Sequence, residues 1–159
     1  MKRLCAALGV IAVSAVASMP AAGADQPPAN TFVAVMSADE EVPLCPQATS
    51  ASGGVAVFHV RDEATGTVDF KVIANNLPGN ITAAHIHQAF KGVPGVVVQP
   101  LPPTPGVEHG VVAQGSFSNP NLVGMIQTFP EAFYVNVHTS VCPRGVIRGQ
   151  LDDRGPLNN

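Results

Sequence analysis

Along most of the chain, apolar and polar residues alternate with a period of two in runs of four to nine residues, the pattern of half-buried strands. Residues 31–37, 54–61, 67–75, 81–88, 96–99, 111–117, 132–139 and 146–152 are the strand candidates. Each is rich in Val, Ile, Phe or Thr and is bounded by Gly, Pro, Asn or Ser. Asp62-Glu63-Ala64-Thr65-Gly66 reads as a hairpin connection in which Gly66 supplies a positive φ, so the flanking strands are antiparallel neighbours. Helix is expected only over residues 119–128, with Asn119 as N-cap, Pro120 at the first helical position and an apolar face of Leu122, Met125 and Ile126. Residues 89–110 hold Pro94, Pro100, Pro102, Pro103 and Pro105 and cannot be regular sheet throughout. A stretch of that kind is a functional cover or an interaction surface.

Eight short strands and one short helix, with 15 Gly and 15 Pro, predict an all-β fold, an antiparallel Greek-key β-sandwich or barrel. The N-terminus follows a different pattern. Lys2 and Arg3 precede an apolar stretch from Leu4 to Val16, and Ala22-Gly23-Ala24 has the small-x-small form of a leader-peptidase site. Residues 1–24 are therefore expected to be a secretory signal peptide cut after Ala24, too short in its apolar part to span a membrane. Residues 25–30, with Pro27 and Pro28, read as a flexible lead-in, 31–152 as one domain and 153–159 as a disordered tail. The expected location is secreted or periplasmic, with no membrane span after cleavage.

The formal charge of −3 becomes more negative by two once Lys2 and Arg3 leave. Such a surface argues against nucleic acid and anionic membranes as partners, because both select clustered Lys and Arg. Cys5 departs with the leader, leaving Cys45 and Cys142. An oxidising compartment pairs such cysteines, and the alternative, thiolate ligation of a metal, lacks the close Cys-x-x-Cys spacing.

His85 and His87 lie two apart in Ala83-Ala84-His85-Ile86-His87, so on a strand their side chains point the same way with Cα atoms roughly 6.5–7 Å apart. In Tyr134-Val135-Asn136-Val137-His138-Thr139, Val135 and Val137 take the core side, which sends Asn136 and His138 outward or under a loop. With Ile86 inside, His85 and His87 share that outer face. Three imidazoles gathered there would suit copper or zinc, with His109 of the proline-rich loop as an accessory ligand. The other reading open at this point is that the three histidines hydrogen-bond loop backbone and hold no metal. Arg148 and Gln150 alternate with Ile147 and Leu151 and also face away from the core. Arg148 is either an anion-binding group beside the histidines or a partner of Glu40 or Glu41. His59 reads as an ordinary half-buried histidine. There is no Gly-x-Ser-x-Gly turn and no phosphate-cradling Gly loop with Lys, and the acids are scattered, so hydrolase and kinase chemistry have no support.

Several of these segments, in order, resemble the CHRD (chordin-type) domain family: Phe32-Val33-Ala34, Glu41-Val42-Pro43, the strand from Gly53 to Phe58, Thr65-Gly66, Ala83 to His87, Tyr134 to Thr139, and Arg148-Gly149-Gln150-Leu151. The resemblance implies an immunoglobulin-like β-barrel distantly similar to Cu/Zn superoxide dismutases, where a His-x-His strand supplies copper ligands. His85 and His87 match that pair, and His138 is the third. The further His and Asp residues that would hold zinc beside the copper are missing, which leaves single-metal binding. Where the family has Asn-Pro and then Gly-Glu before Ile-Arg-Gly-Gln, this chain has Cys142-Pro143-Arg144-Gly145-Val146. A Cys45–Cys142 disulfide would tie two of the family's motif loops together. The resemblance implies a non-catalytic extracellular or envelope module that binds a partner or serves structure. The alternative is a copper- or zinc-binding protein, with superoxide dismutase-like activity as a subordinate branch.

Overall fold

A computed structural model describes residues 29–152. The expected leader, the first part of the lead-in and the expected tail lie outside the described residues. Eight strands are present: β1 (Thr31–Ser37), β2 (Gly53–Asp62), β3 (Thr67–Asn75), β4 (Ile81–Gln88), β5 (Val96–Pro100), β6 (Gly110–Ser118), β7 (Phe133–Thr139) and β8 (Ile147–Gln150). One helix, α1 (Pro120–Thr128), lies between β6 and β7. All eight strand candidates form, and their ends move by no more than a few residues.

The strands make a single antiparallel sheet in the order β5-β4-β7-β8-β1-β2-β3-β6, curled into a half-barrel. The neighbours β4–β7, β8–β1 and β3–β6 are distant in sequence, so the chain crosses between the two halves as a Greek-key fold requires. The segment after β5 draws the two edges together. The Leu101 N–H donates to the Ala84 carbonyl and the Thr104 N–H to the Val112 carbonyl, each at 2.8 Å, and Pro103 bridges to Ala113.

Period-two burial places Phe32, Ala34 and Met36 of β1, Ala56, Phe58 and Val60 of β2, and Val68, Phe70 and Val72 of β3 in the interior. Ala84 and Ile86 of β4 and Phe133, Val135 and Val137 of β7 close it from the other half. Ile86 is thus inside, as the placement of His85 and His87 on the outer face requires. His59 differs from expectation: it shares the outer face of Val55 and Val57, but no loop covers that part of β2, and it is exposed with Nδ1 3.2 Å from the Thr31 hydroxyl.

Asn119 caps α1 as its sequence predicts, its side chain accepting from the Leu122 N–H at 3.2 Å. The buried face is Leu122, Val123 and Ile126, while Met125 is exposed. Val123 and Met125 flank the Leu122–Ile126 stripe on either side, and the helix rolls toward Val123 to meet Phe117, Ile86 and Leu151 at the end of the barrel.

The β2–β3 hairpin turns on Asp62, whose carboxylate accepts from the Ala64 and Thr65 N–H groups, and on Gly66, which has φ +61. Gly66 also receives the helix: its carbonyl accepts from the Asn119 N–H at 3.0 Å, and a Cβ at Gly66 would lie 2.2 Å from the Pro120 nitrogen. Both the positive φ and the close approach exclude a side chain. Gly66→Ala is expected to lower stability by about 2–4 kcal/mol, measured by urea unfolding, with α1 the first element to lose protection in hydrogen exchange.

Candidate metal centre

β7 and β8 are buried on both faces, one against the barrel interior and the other beneath loops. The register aligns the outward residues of three strands into one polar layer. His85 pairs with Asn136 and His87 with Tyr134 across β4–β7, and Asn136 pairs with Arg148 and Tyr134 with Gln150 across β7–β8. Side chains directly opposite in an antiparallel ladder point the same way, so these positions form a continuous patch.

Within it His85, His87 and His138 converge. Each offers a ring nitrogen, and these nitrogens lie within 4.8 Å of one another. The closest pair is His85 Nδ1 and His138 Nε2, 3.1 Å apart. Around a tetrahedral ion with bonds of about 2.0 Å, ligand nitrogens stand roughly 3.3 Å apart, so small rotations of the rings suffice to close the set.

Two of the three rings are held by backbone. His87 Nδ1 donates to the Gly95 carbonyl at 3.0 Å, and His138 Nδ1 donates to the Pro143 carbonyl at 3.1 Å. Each bond fixes the tautomer and keeps Nε2 unprotonated, the arrangement that outer groups impose on metal-ligating histidines. His87 Nε2 is buried and has no hydrogen-bond partner among the described residues. His85 donates its Nδ1 proton to His138 Nε2, and for His85 Nδ1 to serve as a ligand that proton would have to move to Nε2. Burial lowers the pKa of all three histidines, His85 to about 4; the neighbouring rings add to this for His85 and His138, and the Arg148 charge does so for His87. The neutral form, which ligates, is the resident form at neutral pH.

A second group organises the cover. Arg148 is 1% exposed, and its guanidinium donates to the Val93 and Phe90 carbonyls, each at 2.9 Å, and to Gln150 Oε1 at 3.0 Å. Gln150 donates in turn to the Ala89 and Glu131 carbonyls. The guanidinium carbon sits 3.5 Å from the centre of the Tyr134 ring, which lies nearly parallel to the His87 ring at 4.7 Å. The Tyr134 hydroxyl accepts from the Gly95 N–H at 3.0 Å, so the residue that anchors His87 is itself anchored. The hydrogen bonds of Arg148 thus go to loop carbonyls and Gln150, while Glu40 and Glu41 act on it only through their charge. Glu40 pairs with Lys91 at 2.7 Å. Glu41 accepts from the Val42 N–H and from the Asn136 side-chain amide, and burial raises its pKa. The loop carbonyls satisfy the guanidinium without the desolvation of a second charge.

The structure thus brings together His85, His87 and His138, and it places Asn136 and Arg148 in the same layer. Asn136 is buried against Glu41 with its Oδ1 unpaired. His109 is exposed in the turn before β6 and lies outside the group. Cys45 and Cys142 form the expected disulfide, with Cα atoms 5.9 Å apart. The role of Tyr134 escaped the sequence reading, although its place two before Asn136 and four before His138 puts it on the same face. The Gly95 and Pro143 carbonyls carry no side-chain signal and could not have been found.

A family model described as the CHRD domain matches residues 32–151, which take in all eight strands, the three histidines and both cysteines. No curated protein and no solved structure matches the chain. No helix among the described residues is long and apolar enough to cross a membrane.

Two outcomes follow from the geometry. Arg148→Met leaves the Phe90 and Val93 carbonyls without their donor and is expected to cost about 2–4 kcal/mol in urea unfolding, with faster amide exchange confined at first to residues 89–95. Because the folded-state pKa of each histidine lies below the ordinary 6.5, the unfolded chain binds protons that the folded one refuses. Their contribution to stability is complete above about pH 6.5 and is lost as the pH falls toward about 4. In metal-free protein the melting temperature should fall over that window, and more steeply in the wild type than in His85→Gln.

Proposed function

The chain belongs to the CHRD domain family, and from that premise we propose that it is an extracellular module that binds a single copper or zinc ion on His85, His87 and His138. The observation that carries this reading is the Nε2 of His87, buried without a partner among two other imidazoles. A buried nitrogen with no partner forfeits about 1–3 kcal/mol, and an ion at the centre of the three rings is the group that would recover it.

The loop-organising role of the histidines and the metal role do not compete. Each imidazole has two nitrogens. The bonds to the Gly95 and Pro143 carbonyls use only Nδ1 and orient Nε2 toward the common point. An all-imidazole set of this kind suits copper or zinc, and the metal order for nitrogen ligands favours Cu²⁺. The bound ion would cross-link β4 and β7 beneath their loops and add to the closure that the disulfide provides. We read the role as binding and structural rather than catalytic, with dismutation of superoxide subordinate to it.

Cu²⁺ or Zn²⁺ titrated into the metal-free protein, residues 25–159, should bind at one equivalent with micromolar or lower Kd. The His85→Ala, His87→Ala double variant should lose at least about 100-fold in affinity while keeping its far-UV spectrum. Equal, weak binding by both proteins would leave the histidines as loop anchors alone.

A further inference from the structure

The turn that orients His138 is tied to the rest of the molecule through sulfur. Cys142 immediately precedes Pro143, whose carbonyl accepts from His138 Nδ1. At its start the turn is hydrogen-bonded to Asn80, whose carbonyl accepts from the Ser140 N–H at 2.8 Å and whose N–H donates to the Ser140 hydroxyl at 3.1 Å; around Cys142 the hydrogen bonds are local, the Cys142 N–H donating to the Thr139 hydroxyl and the Thr139 and Gly145 N–H groups to the Cys142 carbonyl. The covalent link to Cys45 crosses 97 residues to the segment that carries Glu41. Gly145 in the same turn stands against the Glu41 carboxylate and the Asn136 amide, close enough that a Cβ there would overlap both. The disulfide thus presses together the turn, Glu41 and the outer face of β7.

The anchor of His87 is built differently. Gly95 is held by Tyr134, and residues 89–95 are held by Arg148 and Gln150, so no sulfur is involved. One of the two fixed rings therefore depends on the oxidation state of a cysteine pair, and the other does not.

We propose that the Cys45–Cys142 disulfide is a redox latch on the histidine site: its reduction by an external dithiol frees the turn, His138 loses the carbonyl that fixes its ring, and the ion is released. The inference rests on the metal reading of the preceding subsection. Cys142 is buried while Cys45 is partly exposed, so the attacking thiolate meets the Cys45 sulfur. The S–S bond breaks, and Cys142 leaves as a thiolate that takes up a proton. The second thiol of the reductant then attacks the mixed disulfide and releases Cys45. In sum the protein gains two electrons and two protons, and the dithiol becomes a disulfide.

The test compares three forms of residues 25–159: oxidised wild type, wild type reduced and alkylated, and the Cys45→Ser, Cys142→Ser double variant. Zn²⁺, which has no redox chemistry of its own, is titrated in competition with a chromophoric chelator. The two open forms should bind about 10–100-fold more weakly than the oxidised one, the usual loss when an outer anchor of a ligand is removed. A second readout needs no metal. Long-range ¹⁵N–¹H NMR should show His138 as the Nδ1–H tautomer in the oxidised protein and as a mixture in the open forms, with His87 unchanged. Equal Zn²⁺ affinity and an unchanged His138 tautomer across the three forms would overturn the latch. Loss of the β-sheet spectrum in both open forms would overturn it too, by making the bond a requirement of the fold. Should oxidised wild type bind no ion, the metal reading fails separately, and the tautomer comparison still decides whether sulfur controls His138.

Discussion

The outer layer of β4, β7 and β8 depends on one constraint: polar side chains placed beneath loops must find partners there, because water no longer reaches them. Arg148 meets it most completely. A guanidinium has five donors and no way to shed its charge cheaply, so burying it commits the surrounding backbone to present carbonyls. Phe90 and Val93 do so, and Gln150 extends the same logic to Ala89. The loop over the histidines is thus shaped from below by the sheet. Two of its apolar side chains, Phe90 and Val93, are exposed, while their carbonyls turn inward to satisfy the arginine.

That order of causes bears on the chemistry of the site. Ligands that must be arranged by the ion itself surrender part of the binding energy to conformational entropy, whereas ligands already held keep it. His87 and His138 are held at Nδ1, and His87 is further fixed by its stack on Tyr134. His85 has no carbonyl anchor among its hydrogen bonds, and its contact is with His138. It is the ring that must change tautomer to ligate. With two rings held and one adaptable, the trio is oriented, and an ion could enter it without moving the sheet.

Much of this was legible in the sequence, for an identifiable reason. Strands in a half-barrel obey a strict period of two, so choosing Ile86, Val135 and Val137 as interior residues was enough to put His85, His87, Asn136 and His138 on one outer face. What the pattern could not give was depth. Outward on a strand ordinarily means wet, but here Asn136 is 2% exposed and Arg148 almost fully covered, because loops remote in sequence fold over them. His59 shows the opposite error: the same outward rule applies, no loop arrives, and the residue is exposed. The partner of Arg148 was missed for a related cause. Sequence suggests charges for charges, while the carbonyls that hold the guanidinium belong to Phe90 and Val93, whose side chains say nothing about it.

The disulfide and the arginine clamp act on opposite flanks of the three histidines, and their physical characters differ in a way that matters. The clamp is a set of hydrogen bonds from Arg148 and Gln150 to the backbone of Ala89, Phe90 and Val93, and hydrogen bonds break and re-form without chemistry. The disulfide closes a loop of 97 residues, which in the chain-entropy account is worth about 4–5 kcal/mol through the unfolded state. Its effect on His138 is a different matter from that global term. A covalent tie changes state only by chemistry, so it holds the Pro143 carbonyl in place on timescales over which the 89–95 cover can open and close. An ion entering or leaving the site would therefore pass under the hydrogen-bonded flank, past His87, while the sulfur-bonded flank stays shut.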